Sequence, residues 1–271
     1  MRRFLNTTRL ACALAATGVA NEAVAQPACP EPTLPAYSHN DYERARPLLD
    51  ALSLGYRGVE ADVFLIDGVL RVGHDRRAAR SGGTLDSVYL APLADVIARC
   101  SAWSSPERPF FLAVEIKEVS PATYDALLMV LRRYTHLWVR GPDNRRAPLD
   151  IILVGWHPLI ASEPADSLPG LQQRIAKADA VWELDSRVRL LSVDYGKTVG
   201  RWWRTAAGRR RWTEAIRASK AAFPDRLLRV HNVPANAEVH AALFAAGVDL
   251  IGTKEIDATA RLLAPPGSLV R

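Results

Sequence analysis

Short apolar segments alternate with amphipathic segments along most of the chain. The apolar segments are rich in β-branched residues, as buried strands are, whereas the amphipathic segments repeat their apolar positions every three or four residues, as helices do. The predicted strands are Ala36–Ser38, Gly58–Ile66, Phe111–Ile116, Ile151–Gly155, Ala180–Leu184, Leu190–Val193, Leu227–Val230 and Asp249–Gly252. The predicted helices are Ala45–Leu54, Leu90–Arg99, Pro121–Tyr134, Gln172–Lys177, Trp212–Ala222 and Ala237–Ala246.

This alternation predicts an α/β fold, a single (β/α)8 TIM-type barrel. The chain has 271 residues, about half of them apolar, which is enough for one large core without a second one. Eight strands that alternate with helices are the pattern of a closed parallel barrel. An open, doubly wound sheet is the alternative, but no glycine-rich dinucleotide-binding motif follows the first strand.

The first 25 residues resemble a secretory signal peptide rather than part of the barrel. Arg2 and Arg3 give a basic start, residues 10–20 are small and apolar, and Ala23-Val24-Ala25 is typical of a cleavage site. The apolar run is too short to span a bilayer. We therefore expect an exported protein, periplasmic or secreted, with no transmembrane segment.

These boundaries divide the chain into three parts. We expect a signal peptide at 1–25, an N-terminal arm at 26–35 and the barrel domain at 36–271. A lipoprotein signal at Cys12 is a weaker alternative, because Arg9 stands where an aliphatic residue is expected.

Charge and cysteine content narrow the functional class. The net charge of +6 falls to +4 without the signal peptide, which holds three arginines and Glu22. This mild excess attracts anionic substrates but is not the footprint of a nucleic-acid-binding protein. The mature chain keeps Cys29 and Cys100, and an even pair in an exported protein predicts one disulfide, with two free thiols as the alternative.

Polar residues cluster where the predicted strands end. Glu60 and Asp62 are two residues apart, so on a strand they point to the same face. His39 follows the first strand, and Asp67-Gly68 predicts a hairpin that carries His74 back over the same end of the barrel. Chemistry in such barrels gathers at the carboxyl ends of the strands.

This set of residues suggests metal-assisted acid–base chemistry. Two imidazoles can act as a base and an acid. Three carboxylates, with Glu115 on the third strand as the third, favour one hard divalent cation, Mg²⁺ or Ca²⁺. The alternative is structural, with Glu60 and Asp62 paired to arginines such as Arg57 or Arg71.

Four segments resemble one known family. The segments are His39-Asn40, Glu60-Ala61-Asp62, Gly73-His74-Asp75 and Val114-Glu115-Ile116-Lys117. They resemble the glycerophosphodiester phosphodiesterase-like group of the PLC-like phosphodiesterase superfamily, and within it the subgroup of altered inheritance of mitochondria protein 6. The resemblance covers most of residues 36–117, and looser matches follow at 228–230 and 246–253.

The resemblance implies a TIM-type barrel, one divalent metal and two catalytic histidines. By position, His39 and His74 match the acid–base pair, and the metal ligands are matched by Glu60, Asp62 and Glu115.

Four further residues are expected to bind the substrate. Asn40 stands where the phosphodiesterases proper carry an arginine, and Lys117 matches a basic residue that neutralises phosphate charge. His157 and His231 follow later strands and are expected to line the mouth of the barrel.

The chain also departs from the family pattern. The Glu-Asn-Thr motif that follows the first histidine in glycerophosphodiesterases is absent, and Pro47-Leu48-Leu49-Asp50 stands nearby instead. The segment His231-Asn232-Val233-Pro234 stands where a tryptophan is expected, and Lys254-Glu255 follows Thr253 where the family more often has an aspartate. These departures concern a glycerol-type substrate more than the phosphodiester chemistry.

The sequence therefore predicts an exported, metal-dependent phosphodiesterase. Its substrate would be a small-molecule or lipid-derived phosphodiester, such as a glycerophosphodiester. A non-catalytic barrel that binds a phosphorylated ligand or a partner is the alternative. A glycosidase that uses two carboxylates would leave the two histidines unexplained.

Overall fold

The computed structural model describes residues 29–100, 103, 109–139, 147–158, 168–175, 181, 183–199 and 203–264. Eight parallel strands form a closed barrel, because the first strand pairs with both the second and the last. The predicted TIM-type barrel is therefore confirmed. The predicted signal peptide at 1–25, with Cys12, lies outside the described residues.

The strands and helices alternate in chain order. The strands are β1 Leu34–Ser38, β2 Tyr56–Ile66, β3 Val69–Val72, β4 Phe110–Ile116, β5 Leu149–Gly155, β6 Gly170–Arg174, β7 Val188–Asp194, β8 Leu227–His231 and β9 Leu250–Thr253. The α-helices are α1 Leu49–Ser53, α2 Arg76–Ser81, α3 Ala91–Arg99, α4 Pro121–Arg132, α5 Thr135–Trp138, α6 Ala206–Ala222, α7 Ala237–Ala245 and α8 Ile256–Leu263. None of the described helices is long and apolar enough to cross a membrane.

Alternation along the strands separates an inner core from an outer one. On β4, Phe111 and Ala113 belong to the cluster inside the barrel, whereas Leu112 and Val114 pack in the cluster that includes helix residues. Gly58 on β2 leaves room for the Phe111 ring, since a Cβ there would lie 2.3 Å from a ring carbon. The same two-residue period directs the polar residues near the strand ends into the mouth of the barrel.

The expected hairpin forms directly after the long second strand. β3 runs antiparallel to β2, and Asp67 and Gly68 form the turn with positive φ angles of 50° and 76°. Positive φ at both central residues is the requirement of the tight turn that suits a hairpin. The chain therefore returns to the carboxyl end of β2 and places His74 there.

The sequence prediction is wrong in one region of the sheet. Residues 170–174 form β6, although Gln172–Lys177 is a predicted helix, and the described residues of Ala180–Leu184 are not in a strand. The polar residues of β6 are typical of the solvent-exposed face of a helix, which is why a helix was predicted. In the structure the Gln172 side chain is instead hydrogen-bonded to Arg229.

Two element boundaries also differ. β1 begins at Leu34, inside the predicted arm at 26–35, and the Leu34 backbone nitrogen donates a hydrogen bond to the Gly55 carbonyl. The α6 helix begins at Ala206 rather than Trp212, because Thr205 caps it by accepting a hydrogen bond from the Gly208 nitrogen.

A disulfide joins the N-terminal arm to the end of α3. Cys29 and Cys100 are bonded across 71 residues of sequence, so the predicted pairing is present. Beside it, the Trp103 indole donates a 2.7 Å hydrogen bond to the Pro30 carbonyl and packs on Phe110 of β4. The arm is therefore attached to the barrel wall next to the strand that carries Glu115.

Candidate active site at the carboxyl ends of the strands

The predicted histidines and acids converge at one end of the barrel. His39 directly follows β1, and its backbone nitrogen donates to the carbonyl of Thr253 at the end of β9. Asp62 on β2 is in register with Glu115 on the neighbouring β4. The parallel register therefore aligns residues from distant parts of the sequence.

Three carboxylates form the centre of the site. Oxygens of Glu60, Asp62 and Glu115 lie within 4.8 Å of one another. Glu60 and Asp62 are only 3% and 1% exposed. Burial and the charge of Glu60 raise the pKa of Asp62 to about 6, because each ionised carboxylate penalises its neighbour.

A buried arginine opposes this charge from the far side of the barrel. Burial alone would raise the pKa of Glu60, but the charges of Arg229 and His39 hold it below its usual value. Arg229 is 2% exposed on β8, and its guanidinium lies 4.4 Å from the centre of the Tyr37 ring. Sequence reasoning missed this residue and proposed Arg57 or Arg71 as partners. Arg71 donates to the Gly82 carbonyl instead.

Lys117 contacts two of the three acids, as its place in the sequence suggests. Its ammonium lies 3.1 Å from Asp62 Oδ2 and 3.3 Å from Glu115 Oε1. These carboxylates keep the pKa of Lys117 above its usual value in spite of burial. The positive charge of Lys117 is therefore part of this edge of the cluster.

His39 lies deep in the site with a neutral ring. Its side chain is 15% exposed, and Nε2 is 3.5 Å from Glu60 Oε2. Burial lowers the pKa of His39 to about 4 against the opposing charge of Glu60. The ring stacks over Tyr37 and meets the ring of His231 edge to face, with centroids 6.4 and 5.4 Å away respectively.

His74 lies at the outer rim and is held by a residue that sequence reasoning missed. The Tyr42 hydroxyl donates to Asp62 Oδ2 over 2.7 Å and lies 3.1 Å from His74 Nδ1. Since its single proton goes to the carboxylate, Tyr42 accepts from Nδ1–H. The ring is 62% exposed, so the other nitrogen, Nε2, is left free to meet a ligand.

The Asn40 side chain turns away from the carboxylates. Its amide nitrogen donates to Glu43 Oε1 over 3.0 Å, while its backbone nitrogen lies 3.4 Å from Glu60 Oε2. Glu43 in turn pairs with Lys254 at 3.2 Å. Asn40 therefore contacts the site mainly through its backbone, in a left-handed conformation with φ of 50°.

The two later histidines have different positions. His231 ends β8 beside His39, with Nε2 3.6 Å from Asp194 Oδ2. His157 Nδ1 lies 3.3 Å from the Pro158 carbonyl oxygen. Among the described residues, His157 makes no hydrogen bond or ion pair with the carboxylates, so the structure brings only His231 to the site.

The residues present fit a divalent cation. Asp62 Oδ1 is buried and has no hydrogen-bond partner among the described residues, although a buried carboxylate oxygen normally has one. All three acids offer oxygen atoms, which suit Mg²⁺ or Ca²⁺ rather than a soft metal. Glu60, Asp62 and Glu115 are therefore the residues that would hold the ion.

Comparisons of sequence identify relatives of the first part of the chain. Residues 31–137 match the AIM6-like phosphodiesterase domain. The Arthroderma benhamiae homolog of altered inheritance of mitochondria protein 6 is 40% identical over 83 residues, 28% of this chain and 25% of that protein. The Saccharomyces cerevisiae protein of that name is 32% identical over 147 residues, 46% of this chain and 38% of the yeast protein. The matches thus span well under half of these relatives.

Comparisons of structure extend over most of the barrel. A phosphodiesterase from Oleispira antarctica, solved with the product sn-glycerol-3-phosphate, covers 84% of this chain and 96% of its own, with a TM-score of 0.51 and 16% identity. A glycerophosphodiester phosphodiesterase from Agrobacterium tumefaciens covers 84% and 97%, with a TM-score of 0.50 and 17% identity. The resemblance is therefore confirmed: residues 31–137 match the model of the AIM6-like phosphodiesterase domain, and the barrel has the same fold as solved glycerophosphodiester phosphodiesterases.

Proposed function

We propose that this protein is an exported, metal-dependent phosphodiesterase that uses His39 and His74 as its acid–base pair. The observation that carries the proposal is the convergence of three carboxylates and two histidines at one end of the barrel. The cation would be Mg²⁺ or Ca²⁺. The matched phosphodiesterase domain at 31–137 contains all five residues.

The substrate class follows from the charge around the carboxylates. Lys117 at the cluster and the cation held by the acids would both attract a phosphate group, which carries one negative charge in a diester. We propose a small-molecule or lipid-derived phosphodiester, with a glycerophosphodiester as one candidate. The Oleispira antarctica phosphodiesterase was solved with sn-glycerol-3-phosphate, which makes glycerol diesters a reasonable first test.

The bound ion would supply stabilisation of the negative charge that grows on the phosphate oxygens during the reaction. The roles of this chain's own residues are positional and acid–base. Lys117 holds the side chains of Asp62 and Glu115, and Tyr42 holds Asp62 and His74. The carboxylates are thus ordered by the protein itself.

The two histidines would move the protons. Attack by a hydroxyl on phosphorus forms one P–O bond and breaks the bond to the leaving oxygen. One imidazole takes the proton of the attacking hydroxyl, and the other gives a proton to the leaving alkoxide. If the substrate carries a hydroxyl beside the diester, that hydroxyl attacks and a cyclic phosphate forms, whereas otherwise water attacks.

Export is supported by two independent features. The first 25 residues have the pattern of a signal peptide. The Cys29–Cys100 disulfide is of a kind that persists in oxidising compartments such as the periplasm or the extracellular space. A lysate fractionated from cells that express the full chain would show the processed protein outside the cytoplasm. Retention of an unprocessed chain in the cytoplasm would contradict export.

A panel of synthetic phosphodiesters tests the catalytic proposal. We expect turnover of at least one diester with Mg²⁺ or Ca²⁺, loss of turnover with a chelator, and recovery when the ion is restored. Phosphomonoesters serve as the control for the reaction class. Turnover that persists in chelator would contradict metal dependence.

One observation favours a second candidate, a non-catalytic barrel that binds a phosphorylated ligand. The Lys117 ammonium lies 3.1 and 3.3 Å from Asp62 and Glu115, so a side chain of the protein compensates part of the charge of these acids. This candidate predicts binding of phosphorylated ligands by calorimetry but no turnover of any diester in the panel with either ion.

A further inference from the structure

A second polar network lies opposite the carboxylates, and the catalytic proposal does not use it. It links β6, β7 and β8 through residues that face the inside of the barrel; we call it the β6–β8 network. Its members are Gln172, Ser192, Asp194, Arg229 and His231. Four of them are 6% exposed or less. Polar and charged side chains are rarely this buried, and those that are normally have hydrogen-bond partners.

The direction of the hydrogen bonds in the network can be followed from Arg229. Its Nη2 donates to Gln172 Oε1 over 2.6 Å, and its Nε donates to Ser192 Oγ over 3.1 Å. A guanidinium only donates, so Ser192 Oγ is the acceptor there. The single proton of the Ser192 hydroxyl is therefore available for another partner.

That partner is His231. Ser192 Oγ lies 3.2 Å from His231 Nδ1, and among the described residues it is the only further partner of this fully buried hydroxyl. If Ser192 donates, Nδ1 is an acceptor and the ring proton of His231 is on Nε2. The opposite tautomer would leave the hydroxyl proton buried without an acceptor, at a cost in free energy.

The contact with Asp194 favours the same tautomer, so two contacts together select it. His231 Nε2 faces Asp194 Oδ2 at 3.6 Å, and an unprotonated nitrogen would point its lone pair at a carboxylate. Asp194 is fixed through its other oxygen, because Oδ1 accepts from the Lys197 backbone nitrogen at 2.9 Å and from Asn232 Nδ2 at 3.1 Å. Burial lowers the pKa of His231, which keeps the ring neutral.

The fixed ring of His231 then contacts His39. The two rings meet edge to face with centroids 5.4 Å apart and planes at 79°. On its other side His39 stacks over Tyr37, and Tyr37 lies under the guanidinium of Arg229 at 4.4 Å. Arg229 therefore supports both neighbours of the His39 ring.

We propose that the β6–β8 network is a positioning device for His39: it locks His231 as the tautomer with its proton on Nε2, and His231 and Tyr37 hold the His39 ring in its reactive orientation. The His231 side chain is 7% exposed, against 15% for His39 and 62% for His74. This burial leaves His231 little surface for a substrate. The proposal rests on the proposed function for its catalytic part.

The chain offers a matched pair of variants. Ser192→Ala removes a fully buried hydroxyl that links Arg229 to His231, and Ser219→Ala removes another fully buried hydroxyl that accepts from the Val181 nitrogen and donates to the Ala215 carbonyl. Asp194→Asn is a second variant of the network and keeps the shape of the side chain. It remains informative if Ser192→Ala does not fold.

The experiment combines imidazole ¹⁵N NMR with steady-state kinetics of the same proteins. We expect wild-type His231 to show a bare Nδ1 and a protonated Nε2, with its signals assigned by their loss in His231→Asn. Ser192→Ala and Asp194→Asn should alter the His231 tautomer and shift the His39 signals. We expect kcat to fall about tenfold or more with KM nearly constant, whereas Ser219→Ala should keep the signals and kcat of the wild type.

Several results would overturn the proposal. A wild-type His231 with its proton on Nδ1 would exclude the network as drawn. Unchanged kcat in both network variants of an active enzyme would exclude the positioning role and leave the proposed function intact. If the wild type turns over no diester, the proposed function fails. The NMR signals of His39 then test the positioning role alone, and unchanged His39 signals in Asp194→Asn exclude it.

Discussion

Buried aspartates in the two halves of the barrel have opposite pKa shifts. In the first half, burial raises the pKa of Asp41 and of Asp62 to about 6. In the second half, Asp194 is also buried, but the nearby His231 ring and hydrogen bonds from the Lys197 backbone and Asn232 hold its pKa well below the usual value. The neighbours of Asp194 thus favour its charged form, whereas the pKa of Asp62 stays raised although the Lys117 ammonium lies 3.1 Å away. A divalent cation, if bound as proposed, would favour the charged form of Asp62.

Substitution of either histidine of the proposed acid–base pair should give the largest effect on turnover. His39→Ala and His74→Ala each remove one proton-transfer group, and we expect kcat to fall by about 10²- to 10⁴-fold. The measurement is turnover of the best diester of the panel. His240→Ala is the control, because His240 is also buried, at 3% exposed, and bonds to the Pro234 carbonyl outside the site. Near-wild-type kcat in either catalytic variant would contradict the assignment.

Removal of the disulfide tests how much this bond in the first half of the barrel contributes to the free energy of unfolding. The Cys29–Cys100 bond closes a loop with a sequence separation of 71, and a loop of this size corresponds to about 4 kcal/mol of stabilisation through the unfolded chain. We expect the free energy of unfolding of the double variant Cys29→Ser, Cys100→Ser to be lower by this order. The double variant should therefore unfold at a lower denaturant concentration. Addition of a reductant to the wild type should have a similar effect. An unchanged unfolding midpoint in both experiments would contradict the role of the disulfide.

The opposite pKa shifts predict opposite slopes of stability against pH. Asp41 has a folded pKa of about 6, above its unfolded value, so its contribution to stability is full below about pH 4 and is lost as the pH rises through 6, by about 3 kcal/mol. Asp194 has a depressed folded pKa, so its contribution is present above about pH 4 and is lost as the pH falls further.

Two variants separate these slopes in denaturant titrations. Asp41→Asn should remove the loss of stability between pH 4 and 6 relative to the wild type, and Asp194→Asn should remove part of the loss at acidic pH. If the two variants changed the pH profile in the same direction, the contrast between the two halves would be wrong.

Tyr42→Phe should have the smallest effect on kcat and tests the contacts that hold His74 at the outer rim of the site. The phenyl ring keeps the packing, but the hydroxyl contacts with Asp62 Oδ2 and His74 Nδ1, at 2.7 and 3.1 Å, are lost. Because such supporting hydrogen bonds orient ligands and bases, we expect about a tenfold loss of kcat. Tyr134→Phe, which removes a bond to Asp86 on the outside of the barrel, is the control. Equal kcat values for the two variants would exclude a role for Tyr42 in the site.

The first half of the site could be read from the sequence because its residues follow simple local rules. Glu60 and Asp62 share a face through the two-residue period of a strand, and the Asp67-Gly68 turn places His74. The barrel itself follows from the alternation of strands and helices. The disulfide follows from an even pair of cysteines.

The second half could not be read in the same way. Gln172 and Arg229 are polar residues that face the barrel interior, and on β6 the run Gln172-Gln173-Arg174 leaves no apolar period on which sequence prediction could depend. This is why β6 was predicted as a helix. A charged residue inside the apolar segment Leu228-Arg229-Val230 was the available signal, because a buried arginine requires a partner. The partners come from β6 and β7, and only tertiary structure brings them together. Tyr42 was missed because it lies in a short turn without a periodic pattern.

Exchange of Glu115 for glutamine, with Glu118→Gln as its control, tests the central claim most directly. Glu115 belongs to the carboxylate cluster, whereas Glu118 lies three residues later and pairs with Arg76 at 2.6 Å. The measurement is calorimetric titration of Mg²⁺ and Ca²⁺ into each protein, with diester turnover of the same samples. A metal site predicts that Glu115→Gln weakens ion binding and lowers turnover together, while Glu118→Gln behaves as the wild type. Equal ion binding and turnover in all three proteins would contradict it.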